Sequence, residues 1–159
     1  MEKRIILLDL NYTLVSNQQQ TRLIKPFSAR LDAEEYRPEL LEAIKDDYVI
    51  IITARPSYQQ RQTMENVYRK TGWKPQEAYF NDLDYDPPTI KRSILKRFVF
   101  PKHGTEGNQY FAVESNPRTR EMYAEYGIKA LPYNLFLNKP VEPEQPKKKA
   151  YEQLNMFAY

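Results

Sequence analysis

Short runs of branched apolar residues, each closed by a polar side chain and followed by a stretch of helical period, recur along this chain. The sharpest is Val49-Ile50-Ile51-Ile52-Thr53. β-branched side chains lose rotamer freedom in a helix and pack well on a pleated surface, so this run favours a strand. Residues that are apolar at consecutive rather than alternate positions must be covered on both faces, as in a parallel sheet sandwiched by helices. The same reading predicts strands over 4–9, 48–53, 77–80, 109–113 and 128–131. Helices are predicted from Pro38 to about 46, over 57–70, over 89–98 after the breaker Pro87-Pro88, and over 117–126. Pro38 suits a first helical turn, where its missing N–H costs nothing, and Gly72 and Gly127 suit helix stops. Strands alternating with helices predict an α/β fold with a doubly wound parallel sheet.

A chain of 159 residues can bury one proper core but not two. No apolar run approaches the roughly eighteen residues needed to span a bilayer, so no membrane contact is expected. The run Ile5–Leu8 is too short for a signal-peptide core. Cysteine is absent, which excludes disulfides and thiolate metal sites and fits a reducing, cytoplasmic setting. The one histidine, His103, lies among Pro101, Lys102 and Gly104 and reads as a solvated loop residue. A formal charge of +3 says little about nucleic acid, because binding needs basic residues gathered on one face. Pro140, Pro143, Pro146 and the run Lys147-Lys148-Lys149 mark an extended linker. The expected organisation is a domain over 1–137, a linker over 138–149 and an apolar C-terminal peptide over 150–159.

In an open α/β sheet, ligands bind beyond the carboxyl ends of the strands. The predicted strands deliver Asp9, Thr53, the Asn81-Asp82 turn and Glu114-Ser115-Asn116 there, with Lys91 on the helix before the fourth strand. Acids, a hydroxyl, a lysine and a carboxamide around one crevice suit a phosphoryl group and Mg²⁺. Hard oxygens hold the metal, while hydroxyl and ammonium neutralise phosphate oxygens. Asp82, Asp84 and Asp86 on the loop after the third strand read as solvated acids.

Four segments in order resemble the motifs of the haloacid dehalogenase (HAD) superfamily. They are Asp9-Leu10-Asn11-Tyr12-Thr13, Ile52-Thr53-Ala54-Arg55, Thr89-Ile90-Lys91, and Glu114-Ser115-Asn116 followed by Gly127. The resemblance implies a Rossmann-like sheet and a phosphatase mechanism. Asp9 would form an aspartyl-phosphate, splitting one hard step into two. Mg²⁺ would be held by Asp9, the backbone carbonyl of Asn11 and Glu114. Thr53 and Lys91 would hold the transferring oxygens, with Arg55 and Asn116 as further substrate contacts. The pattern departs from the family at two positions. Asn11 stands where a second Asp protonates the leaving group, and an amide cannot shuttle a proton near neutral pH. Loss of a general acid–base costs on the order of 10²–10⁴ in rate. Glu114 stands where Asp is usual, a milder change. A catalytically weakened, phosphate-binding adaptor is therefore the alternative to a working enzyme.

Fewer than thirty residues separate Asp9 from the helix at Pro38, enough for a flap but not for a folded cap. An open site admits bulky substrates, and the chain looks most like capless polynucleotide 3′-phosphatases and nucleotidases. Arg55, Arg61 and Arg118 are candidate contacts to a phosphodiester backbone. Gln153-Leu154-Asn155-Met156-Phe157 resembles a bacterial sliding-clamp-binding peptide, and the stretch from Lys148-Lys149-Ala150 to Met156-Phe157-Ala158-Tyr159 resembles the clamp-binding C-terminal end of phage DNA polymerases. Gln153, Leu154, Met156 and Phe157 are the expected anchors in an apolar groove of a clamp. A phage protein in host cytoplasm is one expected setting.

Overall fold

A computed structural model describes residues 4–138. The clamp-like peptide, and the linker beyond Asn138, lie outside these residues. The central sheet has five strands in the order β3-β2-β1-β4-β5. They are β1 (Ile5–Leu8), β2 (Tyr48–Pro56), β3 (Glu77–Asn81), β4 (Tyr110–Val113) and β5 (Lys129–Leu131). Every neighbouring pair is parallel, so the expected doubly wound, Rossmann-like α/β sheet is the fold of the protein.

Alternation along the strands divides the apolar residues between two cores. Ile6, Leu8, Val49, Ile51 and Val113 face one side. There they meet Leu40, Leu41 and Ile44 of α3 (Pro38–Ile44) and Val67 of α4 (Gln60–Thr71). Leu7, Ile50, Ile52 and Ala112 face the other side. They pack on Ile90 and Ile94 of α5 (Pro87–Ile94) and on Met122 and Tyr123 of α7 (Pro117–Glu125). This double cover explains why the strand runs are apolar at every position. Gly72 closes α4 in a left-handed conformation, with φ 73°, as its place in the sequence predicts.

Four features differ from expectation. Strand β2 continues past Thr53 to Pro56, shifting register before it pairs with Asn81. Pro87 and Pro88 open α5 instead of preceding it, since a helix's first turn lacks partners for its N–H groups anyway. The helix then runs on through a wide turn at Leu95–Val99 into α6 (Phe100–His103). His103 is therefore not a solvated loop residue. Its Nε2 lies 2.6 Å from Glu77 Oε2, and its ring packs edge-on against Tyr48, at the end of the sheet opposite the strand tips.

The stretch after β1 folds into two short helices, α1 (Gln18–Thr21) and α2 (Phe27–Asp32). A bridge between Val15 and Tyr36 closes its base. Asp32 accepts hydrogen bonds from Gln62 and Asn66, both at 3.0 Å, which ties the segment to α4. A last short helix, α8 (Tyr133–Phe136), ends the described chain. No helix among the described residues is long and apolar enough to cross a membrane.

Candidate active site

Strand order reverses direction at β1, so a crevice opens between the loops that leave β1 and its neighbours. Register sets its contents. Leu8 lies level with Ile51 on one side and Val113 on the other, so Asp9 emerges beside Glu114. The wide turn at Leu10–Leu14 then places Asn11 in extended backbone and Tyr12 in the left-handed region, at φ 59°. A non-glycine residue held there costs on the order of 1 kcal/mol or more. The turn brings the Thr13 hydroxyl onto Asp9 Oδ2 at 2.8 Å.

Asp9, Asn11, Ala54, Pro87, Lys91, Glu114, Ser115 and Asn116 line the crevice. Lys91 lies beside Ile90 on the buried face of α5 and reaches up to the strand tips. Its Nζ donates to Asp9 Oδ1 at 2.9 Å and to Glu114 Oε1 at 2.5 Å. Ser115 Oγ lies 2.9 Å from Asp9 Oδ2 and 3.1 Å from the Asn11 carbonyl oxygen. Glu114 Oε2 accepts the Asn116 backbone N–H at 3.1 Å. Asn116 caps α7 through its Oδ1, which accepts from the Arg118 N–H at 2.9 Å. Its Nδ2 is buried and has no hydrogen-bond partner among the described residues. A buried donor without an acceptor costs about 1–3 kcal/mol, so this atom is ready for an anion.

The charges are unequal. Burial works to raise the pKa of Asp9, but the Lys91 ammonium and hydrogen bonds from Glu114, Lys91 and Thr13 hold it below the usual carboxylate range. Glu114 is pushed up to about 8 by burial and by the charge on Asp9. Burial disfavours the charge on Lys91, yet the two acids raise its pKa on balance. Without a divalent cation, burial and the neighbouring Asp9 charge thus favour the neutral form of Glu114 over that of Asp9.

The donor set fits Mg²⁺. Two carboxylates and a backbone carbonyl are hard oxygen ligands, and Mg²⁺ is commonly held by one or two carboxylates with water completing its shell. Asp9 Oδ2 and the Asn11 carbonyl already converge, since both lie within hydrogen-bond reach of one atom, Ser115 Oγ. Among the described residues no group of three or more His, Cys, Asp or Glu side chains gathers anywhere, this site included, so the third protein ligand here would be the Asn11 carbonyl.

Asp9, Asn11, Lys91, Glu114 and Asn116 thus come together as the sequence predicts. Thr53 does not line the crevice. Its buried hydroxyl accepts the Arg55 backbone N–H at 3.1 Å, and Ala54 forms the wall. Arg55 requires a correction: its side chain is fully buried in an ion pair with Glu34 and cannot reach a phosphodiester backbone. Arg61 pairs with Glu65, and Arg118 with Asp86, on the surface. Asp82 pairs with Arg97. Ser115, which the sequence delivers to the same strand tip, adds its hydroxyl to Asp9. Sequence reasoning missed one contributor. Glu34 carried no signal, since its partner is twenty-one positions away.

No family model matches the chain, and no curated protein matches it. Solved structures do. The chain is similar to a magnesium complex of a HAD-family enzyme from Bacteroides thetaiotaomicron, with a TM-score of 0.55 and 14% identity. That match covers 94% of this chain and 99% of the other. The chain has the fold of a HAD-family enzyme. It shares that fold with D,D-heptose 1,7-bisphosphate phosphatase from Burkholderia thailandensis, with a TM-score of 0.53, 14% identity, and 89% and 88% of the two chains covered. The Pnkp1/Rnl/Hen1 RNA repair complex gives a TM-score of 0.63 at 16% identity over 82% of this chain. The present chain spans only 42% of that one's length. At these identities the likeness concerns the HAD fold alone.

Proposed function

We propose that this protein is a Mg²⁺-dependent phosphohydrolase working through an aspartyl-phosphate on Asp9. The observation that carries the reading is the state of Asp9. It is an ionised carboxylate at a strand tip, gripped by Lys91, Thr13 and Ser115, facing an unmatched amide donor on Asn116. A carboxylate oxygen of Asp9 forms the new P–O bond, and the electron pair of the broken bond departs with the leaving oxygen. Lys91 and Asn116 bind phosphoryl oxygens, and Lys91 offsets the charge that builds on them. Mg²⁺ held by Asp9, Glu114 and the Asn11 carbonyl would supply further charge neutralisation and orient the phosphate. Water then hydrolyses the aspartyl-phosphate. Acid-quenched mixtures with an aryl phosphate should contain phosphorylated protein, with the label on Asp9 by peptide mass spectrometry. Label on any other residue contradicts the mechanism.

Nucleic-acid ends or nucleotides are the proposed substrates. Among the described residues only two short helices follow β1, the second tied down on α4, and neither forms a closing domain; a similar fold occurs in an RNA repair complex. The C-terminal peptide, through Gln153, Leu154, Met156 and Phe157, is proposed to dock on a sliding clamp. The linker before it supplies reach. A cytoplasmic setting, bacterial or phage-infected, follows from that partner. One observation favours a second reading. Asn11 supplies no proton, and a domain that binds phosphate without rapid turnover would serve as an adaptor at the replication or transcription machinery. Asn11→Asp separates the two: creation of turnover in an inert parent supports the adaptor.

A further inference from the structure

The buried pair Arg55–Glu34 takes no part in the chemistry above, yet it touches the side chain that departs most from the family pattern. Arg55 Nη1 and Nη2 donate to the two oxygens of Glu34 at 2.9 and 2.5 Å, and Nη1 also reaches Thr63 Oγ1 at 3.2 Å. Its Nε donates to Asn11 Oδ1 at 2.8 Å. A guanidinium carries donors only, so the Asn11 atom facing it must be the amide oxygen. The amide N–H bonds of Asn11 are thereby left for the crevice, which Asn11 lines together with Asp9 and Lys91. Glu34 is itself fixed from outside the site. Lys70 on α4 donates to its backbone carbonyl at 2.6 Å, and the Val15–Tyr36 bridge closes the segment that carries it.

We infer that Glu34 is a positioning residue for the phosphatase site: it fixes Arg55, Arg55 fixes the Asn11 carboxamide, and Asn11 donates a hydrogen bond to the leaving-group oxygen. The inference rests on the phosphatase reading. As the P–O bond breaks, its electron pair moves onto that oxygen, and an aimed N–H stabilises the charge without transferring a proton. The released alkoxide takes its proton from water. Asn11 in this chain then works as a donor held in one orientation rather than as a failed acid.

The test is leaving-group dependence in the full-length protein with Mg²⁺. A preorganised donor at a developing oxyanion is worth on the order of 10²-fold in kcat. Glu34→Gln, Arg55→Lys and Asn11→Ala should each lose kcat on that scale with a 3′-phosphorylated oligonucleotide. In Glu34→Gln and Arg55→Lys, KM and turnover of p-nitrophenyl phosphate, whose phenolate departs unaided, should change little. Glu34→Gln combined with Asn11→Ala should be no slower than Asn11→Ala alone, because both act through one hydrogen bond. Arg55→Lys keeps the buried charge pair and carries the test if Glu34→Gln does not fold. Equal losses on both substrates, or losses that multiply in the double variant, overturn the positioning role. A parent that turns over neither substrate overturns the phosphatase reading and this inference with it, whereas an active parent without the leaving-group split overturns this inference alone.

Discussion

Replacing Glu114 with Gln should abolish a specific pH dependence of stability in the protein without divalent cations. Glu114 titrates near 8 in the folded site, against 4.5 for an ordinary glutamate. Between those values the folded chain binds one proton that the unfolded chain has released, so stability falls as pH rises through the window. The loss is fully absent below the unfolded value and complete above the folded one. Each pH unit is worth about 1.4 kcal/mol, so the penalty reaches about 3 kcal/mol at pH 7. Asp9 works in the opposite sense. Its lowered pKa contributes stability above its ordinary value, which is lost on acidification, outside this window. Urea unfolding in EDTA at pH 5, 6, 7 and 8 measures the effect. The parent should lose stability relative to Glu114→Gln across the series by about 3 kcal/mol. With saturating Mg²⁺, Glu114 must be ionised to bind, so metal binding should release about one proton at pH 7. Parallel pH profiles for parent and variant would refute the assignment of the proton to Glu114.

Other outcomes follow from the same structure. Lys91→Met removes the cation shared by Asp9 and Glu114 and should lower aryl phosphatase activity by on the order of 10²-fold or more, read by phosphate release. Gly72→Ala should destabilise the fold by about 1 kcal/mol in urea. No atom lies within 4 Å of the added Cβ, so the whole cost is the backbone at φ 73°. Deleting residues 150–159 should leave aryl phosphatase activity intact while abolishing capture by an immobilised bacterial sliding clamp; capture that survives deletion sinks the recruitment proposal.

The sheet was legible because its residues answer to one constraint, burial on both faces, which local composition records directly. Leu7 and Leu8 serve different cores, yet both must be apolar. The site was legible where a functional residue follows its strand, as Asp9 and Glu114 do. It was illegible where the partner lies far off in sequence. Arg55 carries the same local signature whether it faces a phosphate or a buried acid, and only the path of residues 15–37 over α4 decides for Glu34. Helices α1 and α2 are too short to show a period, and bonds from Gln62 and Asn66 to Asp32, rather than propensity, hold α2. His103 was misread for a related reason: Pro101 and Gly104 suggest a loop, but Pro101 sits in the first turn of a helix and Gly104 at its end.

The most direct test of the central claim is Mg²⁺-dependent phosphate release from p-nitrophenyl phosphate by the parent protein beside Asp9→Asn. A good leaving group removes the need for a general acid, so the assay isolates the nucleophile. Turnover in the parent that vanishes in a folded Asp9→Asn protein is the predicted result. Activity undiminished in Asp9→Asn, or a folded, Mg²⁺-binding parent that releases no phosphate, would contradict it.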